Sequence, residues 1–150
     1  FGQEAQLAPL SEFLDSPDGQ AVGLFAVADL PSVLLGGFPS MLNVSVADMP
    51  GARPADVVVL IEDLLDQNSA YYNDLSVESL EPATVNGYPG VLGAATADIS
   101  PTGVNAEVFA NVAGLLHEDK LYVLTLVSEL DDRAEREPEF AAIIETFRPQ

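Results

Sequence analysis

The residues with the most obvious chemistry are few. His117 is the chain's single histidine and is followed by Glu118 and Asp119. A hydroxyl nucleophile needs a base beside it, so a Ser-His-acid triad here would have to use His117. The polar run His117-Glu118-Asp119-Lys120 lies between two apolar segments. It therefore reads as a tight hairpin turn with a solvated His117. One histidine without cysteine cannot build a typical zinc site, and no His-Glu-x-x-His spacing occurs. Carboxylates remain. Asp15-Ser-Pro-Asp-Gly19 resembles the start of a calcium loop but lacks the alternating third ligand and the distal Glu, so it reads as a turn. Asp131, Asp132, Glu135, Glu137 and Glu139 cluster more densely, with Arg133 and Arg136 interleaved, as on a solvated first turn of a helix. A glycosidase-like acid pair would lack an aromatic sugar platform: there is no Trp, and Tyr71-Tyr72 falls at a helix end. A small hydrolase using His117 or an acid pair is thus the alternative reading. No catalytic residue, cofactor or metal site is assigned.

Gly87, Gly90 and Gly93 raise a second question. A phosphate-cradling loop needs a helix directly behind its glycines, to supply N–H groups and the positive end of a dipole. Behind Gly90 stands Val-Leu-Gly-Ala-Ala-Thr-Ala-Asp, which has no helical apolar stripe. Asn86-Gly87 is instead a hairpin signal, because both positions tolerate positive φ. The small residues that follow suit a strand crowded by a covering helix.

The elements that must position these residues are legible in the pattern. Gln20 to Ala28 reads as a strand and Met41 to Ala47 as a second, alternating one. Pro54 and Asp56 open a helix whose Val57, Val58, Ile61, Leu64, Leu65 and Asn68 recur at helical spacing, ending near Ala70. Leu75 to Val85, Val91 to Ile99, Asn105 to Leu116 and Leu121 to Ser128 read as a meander of four strands. The last is apolar on both faces except at Thr125, which predicts a central strand covered on both sides. A closing helix, opened by Pro138, carries Phe140, Ile143, Ile144 and Phe147 on one face and ends at Arg148. The order ββα, four strands, α predicts an α+β fold. Its sheet is mainly antiparallel, of about six strands, sandwiched by helices on both faces. Residues 1–150 are read as a single domain, with 1–19 as an irregular N-terminal segment. The loop from Leu30 to Ser40 is unusually apolar, so it either packs down as a cover over the sheet edge or touches a partner or ligand, with Leu34, Leu35 and Phe38 as the candidate contacts.

Composition narrows the setting. The 150 residues are 48% hydrophobic, enough for a packed core. The net charge of −19 repels nucleic acid and anionic lipid, and no basic patch offsets it. It would attract polycations or divalent cations, and it equally suits a solvating acidic coat. The apolar runs are too short to span a bilayer. Phe1 opens a polar, acidic stretch without a signal-peptide pattern. With no initiator Met, the expectation is a mature or excised chain whose upstream targeting segment or tether has been removed. Self-repulsion at this charge is relieved by screening. The melting temperature should therefore rise between low and moderate ionic strength at neutral pH. A flat or falling midpoint would show that the acids already hold cations.

Three stretches carry a resemblance: "VESLEPATVNGYPGVLGAATAD", "NAEVFANVAGLLHEDKLYVLTLVS" and "PEFAAIIETFRP". Together they are similar to the PsbP-like group, the Mog/PsbP α-β-α sandwich that includes bacterial extracytoplasmic relatives of the LpqN and DcrB type. The shared features are the Asn-Gly hairpin, the Tyr122 to Thr125 run and the Ile144, Phe147 spacing. The resemblance spans Ala21 to Pro149. It implies a non-catalytic accessory role, docking on a larger protein complex or sensing at the envelope, and an extracytoplasmic location. The group shares no catalytic residues, so none is carried over. A purely structural surface domain is the remaining alternative.

Overall fold

In the computed structural model the described residues are 25–28, as backbone, and 40–150. Residues 1–24 and 29–39 lie outside them, and with them the calcium-like Asp15 to Gly19 stretch and Leu34, Leu35 and Phe38. The chain order is β1 (Phe25–Ala28), β2 (Met41–Asp48), α1 (Pro54–Gln67), β3 (Asn73–Val85), β4 (Tyr88–Asp98), β5 (Glu107–His117), β6 (Lys120–Glu129) and α2 (Arg133–Thr146). The strands form one antiparallel sheet in the order β1-β2-β6-β5-β4-β3. Five are long; β1 contributes four residues at one edge.

Side-chain alternation divides the core in two. On β6, Tyr122, Leu124 and Leu126 point into a cluster with Leu115, Val85 and Phe140 of α2. Their neighbours Leu121 and Val123 point the other way, toward Val57 and Ile61 of α1. With period two along the strand, a residue run apolar at every position needs cover on each side, and each helix supplies one. β6 lies inside the sheet, between β2 and β5.

Two of the meander's three hairpins, β3–β4 and β5–β6, use two-residue turns; the β4–β5 connection is longer, spanning 99–106. Asn86 and Gly87 have φ of 52° and 85°, the left-handed pair that matches strand twist. Asn86 also donates from Nδ2 to the Phe147 carbonyl at 2.6 Å, tying the turn to the end of α2. The β5–β6 turn places Glu118 and Asp119 at φ of 49° and 61°. Asp119 has compensation: its carbonyl accepts from Met49 N–H at 2.7 Å and its Oδ1 from Gly51 N–H at 3.1 Å. Glu118 is held in the same left-handed region. Glu118→Gly should stabilise the fold by about 1 kcal/mol, the cost of a left-handed non-glycine residue, read as a higher urea midpoint at constant m. A lower midpoint would place a stabilising contact on Glu118.

The helix boundaries differ from expectation in instructive ways. α1 begins at Pro54, and the Asp56 carboxylate accepts the Arg53 backbone N–H at 2.8 Å. It ends at Gln67, because Asn68 turns its Nδ2 back onto the Leu64 carbonyl at 2.7 Å, and a short 3-10 turn follows at Ser69–Tyr71. α2 does not open at Pro138. It starts at Arg133, directly after a 3-10 turn at Leu130–Asp132, and carries Pro138 inside. The proline removes one backbone donor, and an ion pair holds the turn ahead of it. Arg133 donates to both Glu78 oxygens, at 2.7 and 2.5 Å, and to Glu137 at 2.9 Å. Glu78 falls at a register shift of β3, between Val77 and Ser79. At its far end α2 is capped by Arg148, which donates to the Glu145 carbonyl at 2.8 Å.

Candidate functional site

His117 closes β5 rather than standing in the turn. Its ring meets the edge of Tyr88 at a centroid distance of 5.2 Å, and its side chain is half-buried. Nε2 lies 3.9 Å from Glu118. A shallow concavity of about 190 Å³ runs past His117, Glu118, Asp119 and Lys120 to Met49 and Gly51. Among the described residues no Ser, Thr or Cys side chain lines it, so it offers His117 none of these usual nucleophiles to activate. Among the described residues no group of three or more His, Asp or Glu side chains is placed to hold a metal ion.

Two acids of the run at the start of α2, Glu137 and Glu139, are paired with its own arginines. Besides Arg133, Arg136 bonds Glu139 at 2.9 Å. The carboxylates held below the usual range all owe it to structural partners. Glu78 is lowered by hydrogen bonds from the Arg133 guanidinium. Asp98 is lowered by the Ser100 backbone N–H, then by the Ser100 hydroxyl and Asn73. Asp56 is lowered by the Arg53 side chain and backbone. Arg133 is raised in turn by Glu78 and Glu137. A carboxylate with a depressed folded-state pKa stabilises the fold above its unfolded value near ~4. That stability is lost as pH falls through the folded value. Acid unfolding should therefore begin below about pH 4, and Glu78→Gln and Asp98→Asn should each flatten the stability-versus-pH slope there. An unchanged slope in both variants would remove these pairs from the account.

The feature best built for binding is one that sequence reading missed. α1 seats its first half tightly: Val57 is fully buried and lies against Gly114, where an added Cβ would come 3.5 Å from Val57 Cγ1. Its second half stands over small residues. Ala95 of β4 pairs with Ala110 of β5, and Gly93 with Val112, all on the α1 face. An apolar groove of about 220 Å³ results, roofed by Ile61, Leu64 and Leu65 and closed by Val77, Leu80, Val123 and Thr125. Among the described residues no ionisable side chain lines it. Leu64 and Val77 at its margin are each 47% exposed. The small residues of β4 were expected to admit a closely packed helix; at this end of α1 they leave space instead. A second hollow opens on the other face, beneath Phe140, Ala141 and Ile144 of α2.

An antiparallel sheet with a helix against each of its two core clusters defines an α+β sandwich. Its fold is that of the PsbP-like group, as the three sequence stretches implied. PA94 of Pseudomonas aeruginosa, a protein of unknown function described as a candidate regulator, superposes with a TM-score of 0.60 at 13% identity. That match covers 86% of this chain and 83% of PA94. The cyanobacterial PsbP protein CyanoP of Synechocystis sp. PCC 6803 superposes with a TM-score of 0.50 at 15% identity, covering 85% of this chain and 82% of CyanoP. At these identities the likeness is one of fold. No protein-family model and no curated protein sequence matches the chain.

Proposed function

We propose that this chain is a non-catalytic binding or accessory domain, one that holds a ligand or docks on a larger complex without transforming it. The observation that carries this reading is the groove under α1. It is concave and mostly apolar, and among the described residues no carboxylate, imidazole, amine or thiol lines it to serve as general acid or base. The fold-level likeness to CyanoP supports an accessory role by analogy only. Leu34, Leu35 and Phe38 belong to the same proposal as a contact for a protein partner. An extracytoplasmic location completes it, supported by the same fold likeness, by the −19 charge and by a chain without cysteine. No helix among the described residues is long and apolar enough to cross a membrane.

The test against catalysis is direct. Purified protein should hydrolyse chromogenic ester, phosphate and glycoside substrates no faster than buffer, and His117→Ala should change nothing. Turnover that His117→Ala abolishes would replace the binding reading with the hydrolase one.

A further inference from the structure

We infer that the groove between α1 and the sheet is a site for a small, uncharged apolar molecule carrying a hydrogen-bond donor. The inference rests on the binding reading above and adds the chemistry of the ligand. Size comes first. A buried apolar cavity of ~150 Å³ suffices for a benzene ring, while drug-sized ligands need roughly 300 Å³ or more. At about 220 Å³ the open groove lies between, fitting a medium-length alkyl chain or a compact molecule of two or three rings.

Charge comes second. Among the described residues the lining has no cation to pair with a carboxylate or sulfate. The surrounding surface makes matters worse for an anion. Glu62, Asp63 and Asp66 lie on the roofing helix, and none of the chain's five basic residues lies in its second half or in β3 or β4. A negative head group would be desolvated beside apolar walls inside a field of like charge, which is costly on both counts.

The polar end comes third. Thr125 supplies a hydroxyl to the lining, and Asn43 of β2 lies directly across from it in register, so the two share a face. The Oδ1 of Asn43 is buried and finds no hydrogen-bond partner among the described residues. A buried acceptor without a donor is costly, and a ligand hydroxyl or N–H entering past Thr125 would satisfy it.

The experiment uses N-phenyl-1-naphthylamine, a neutral fluorophore, with the intact protein. Its fluorescence should rise saturably with wild type. Ala95→Leu, which fills the groove floor, should weaken that binding at least tenfold without lowering the melting temperature. Ala110→Leu serves the same purpose from the facing strand if the first variant folds poorly. Displacement by eight-carbon competitors then reads the chemistry. 1-Octanol should displace the fluorophore, 1-methoxyheptane should need about threefold more for want of a donor, and octanoate should need at least tenfold more. Equal probe binding by wild type and both filled variants would overturn the site. Octanoate competing as well as octanol would overturn the exclusion of anions, and methoxyheptane matching octanol would overturn the polar end. None of these outcomes would produce turnover, so failure here is distinct from failure of the non-catalytic reading.

Discussion

Phe140→Ala should destabilise the protein by about 3–5 kcal/mol, the usual cost of truncating a buried aromatic ring. Phe140 is the fully enclosed residue of α2, 4% exposed, and it inserts among Leu115, Leu124 and Leu126. Around it α2 offers only half-buried neighbours, Ile143 and Ile144, so no other side chain can close the gap. Against a total stability of about 5–15 kcal/mol, the loss is a large share of the whole. Urea denaturation at constant m measures it. A cost under about 1 kcal/mol would mean that α2 is not seated as described, since a well-packed ring cannot be lost so cheaply.

Gly90→Ala should cost about 3 kcal/mol, at the upper end of overpacking effects. The new Cβ would come to 1.8 Å from the Gly114 carbonyl oxygen and 2.9 Å from its carbon. Both are backbone atoms of the neighbouring strand, so no rotamer change relieves the clash; β4 and β5 must part where Gly90 pairs with Leu115. Gly87 supplies the control. It has positive φ but open space around it, so Gly87→Ala should cost only the left-handed penalty of about 1–2 kcal/mol. Equal costs at the two positions would show that strand proximity is not what selects glycine at position 90.

Local rules made much of this fold readable. The two-faced apolarity of Leu121 to Ser128 placed that strand inside the sheet, because alternation needs no knowledge of partners. Asn86-Gly87 announced its turn, because the left-handed region restricts residue choice at those positions. Pro54 and Asp56 announced α1 for the same local reason. The missed features all depend on residues distant in sequence. α2 starts five residues before Pro138 because Arg133 reaches Glu78, 55 positions away. His117 is half-buried because Tyr88 from another hairpin reaches its ring. The groove requires Ala95 and Ala110 to fall in register, on two different strands, beneath the less tightly seated half of α1. A small residue looks the same in sequence whether a helix fills the space above it or leaves it open. Composition could suggest crowding but could not fix the separation.

The central claim is that this is a binding domain whose site lies under α1. Its most direct test is a methyl-labelled NMR spectrum recorded with N-phenyl-1-naphthylamine bound. The account predicts intermolecular NOEs from the ligand to the methyl groups of Ile61, Leu65, Val77 and Ala95. It predicts none to Leu126, Ile143 or Ile144, on the α2 face. NOEs confined to the α2 face, or a bound ligand with no contact to α1, would contradict it.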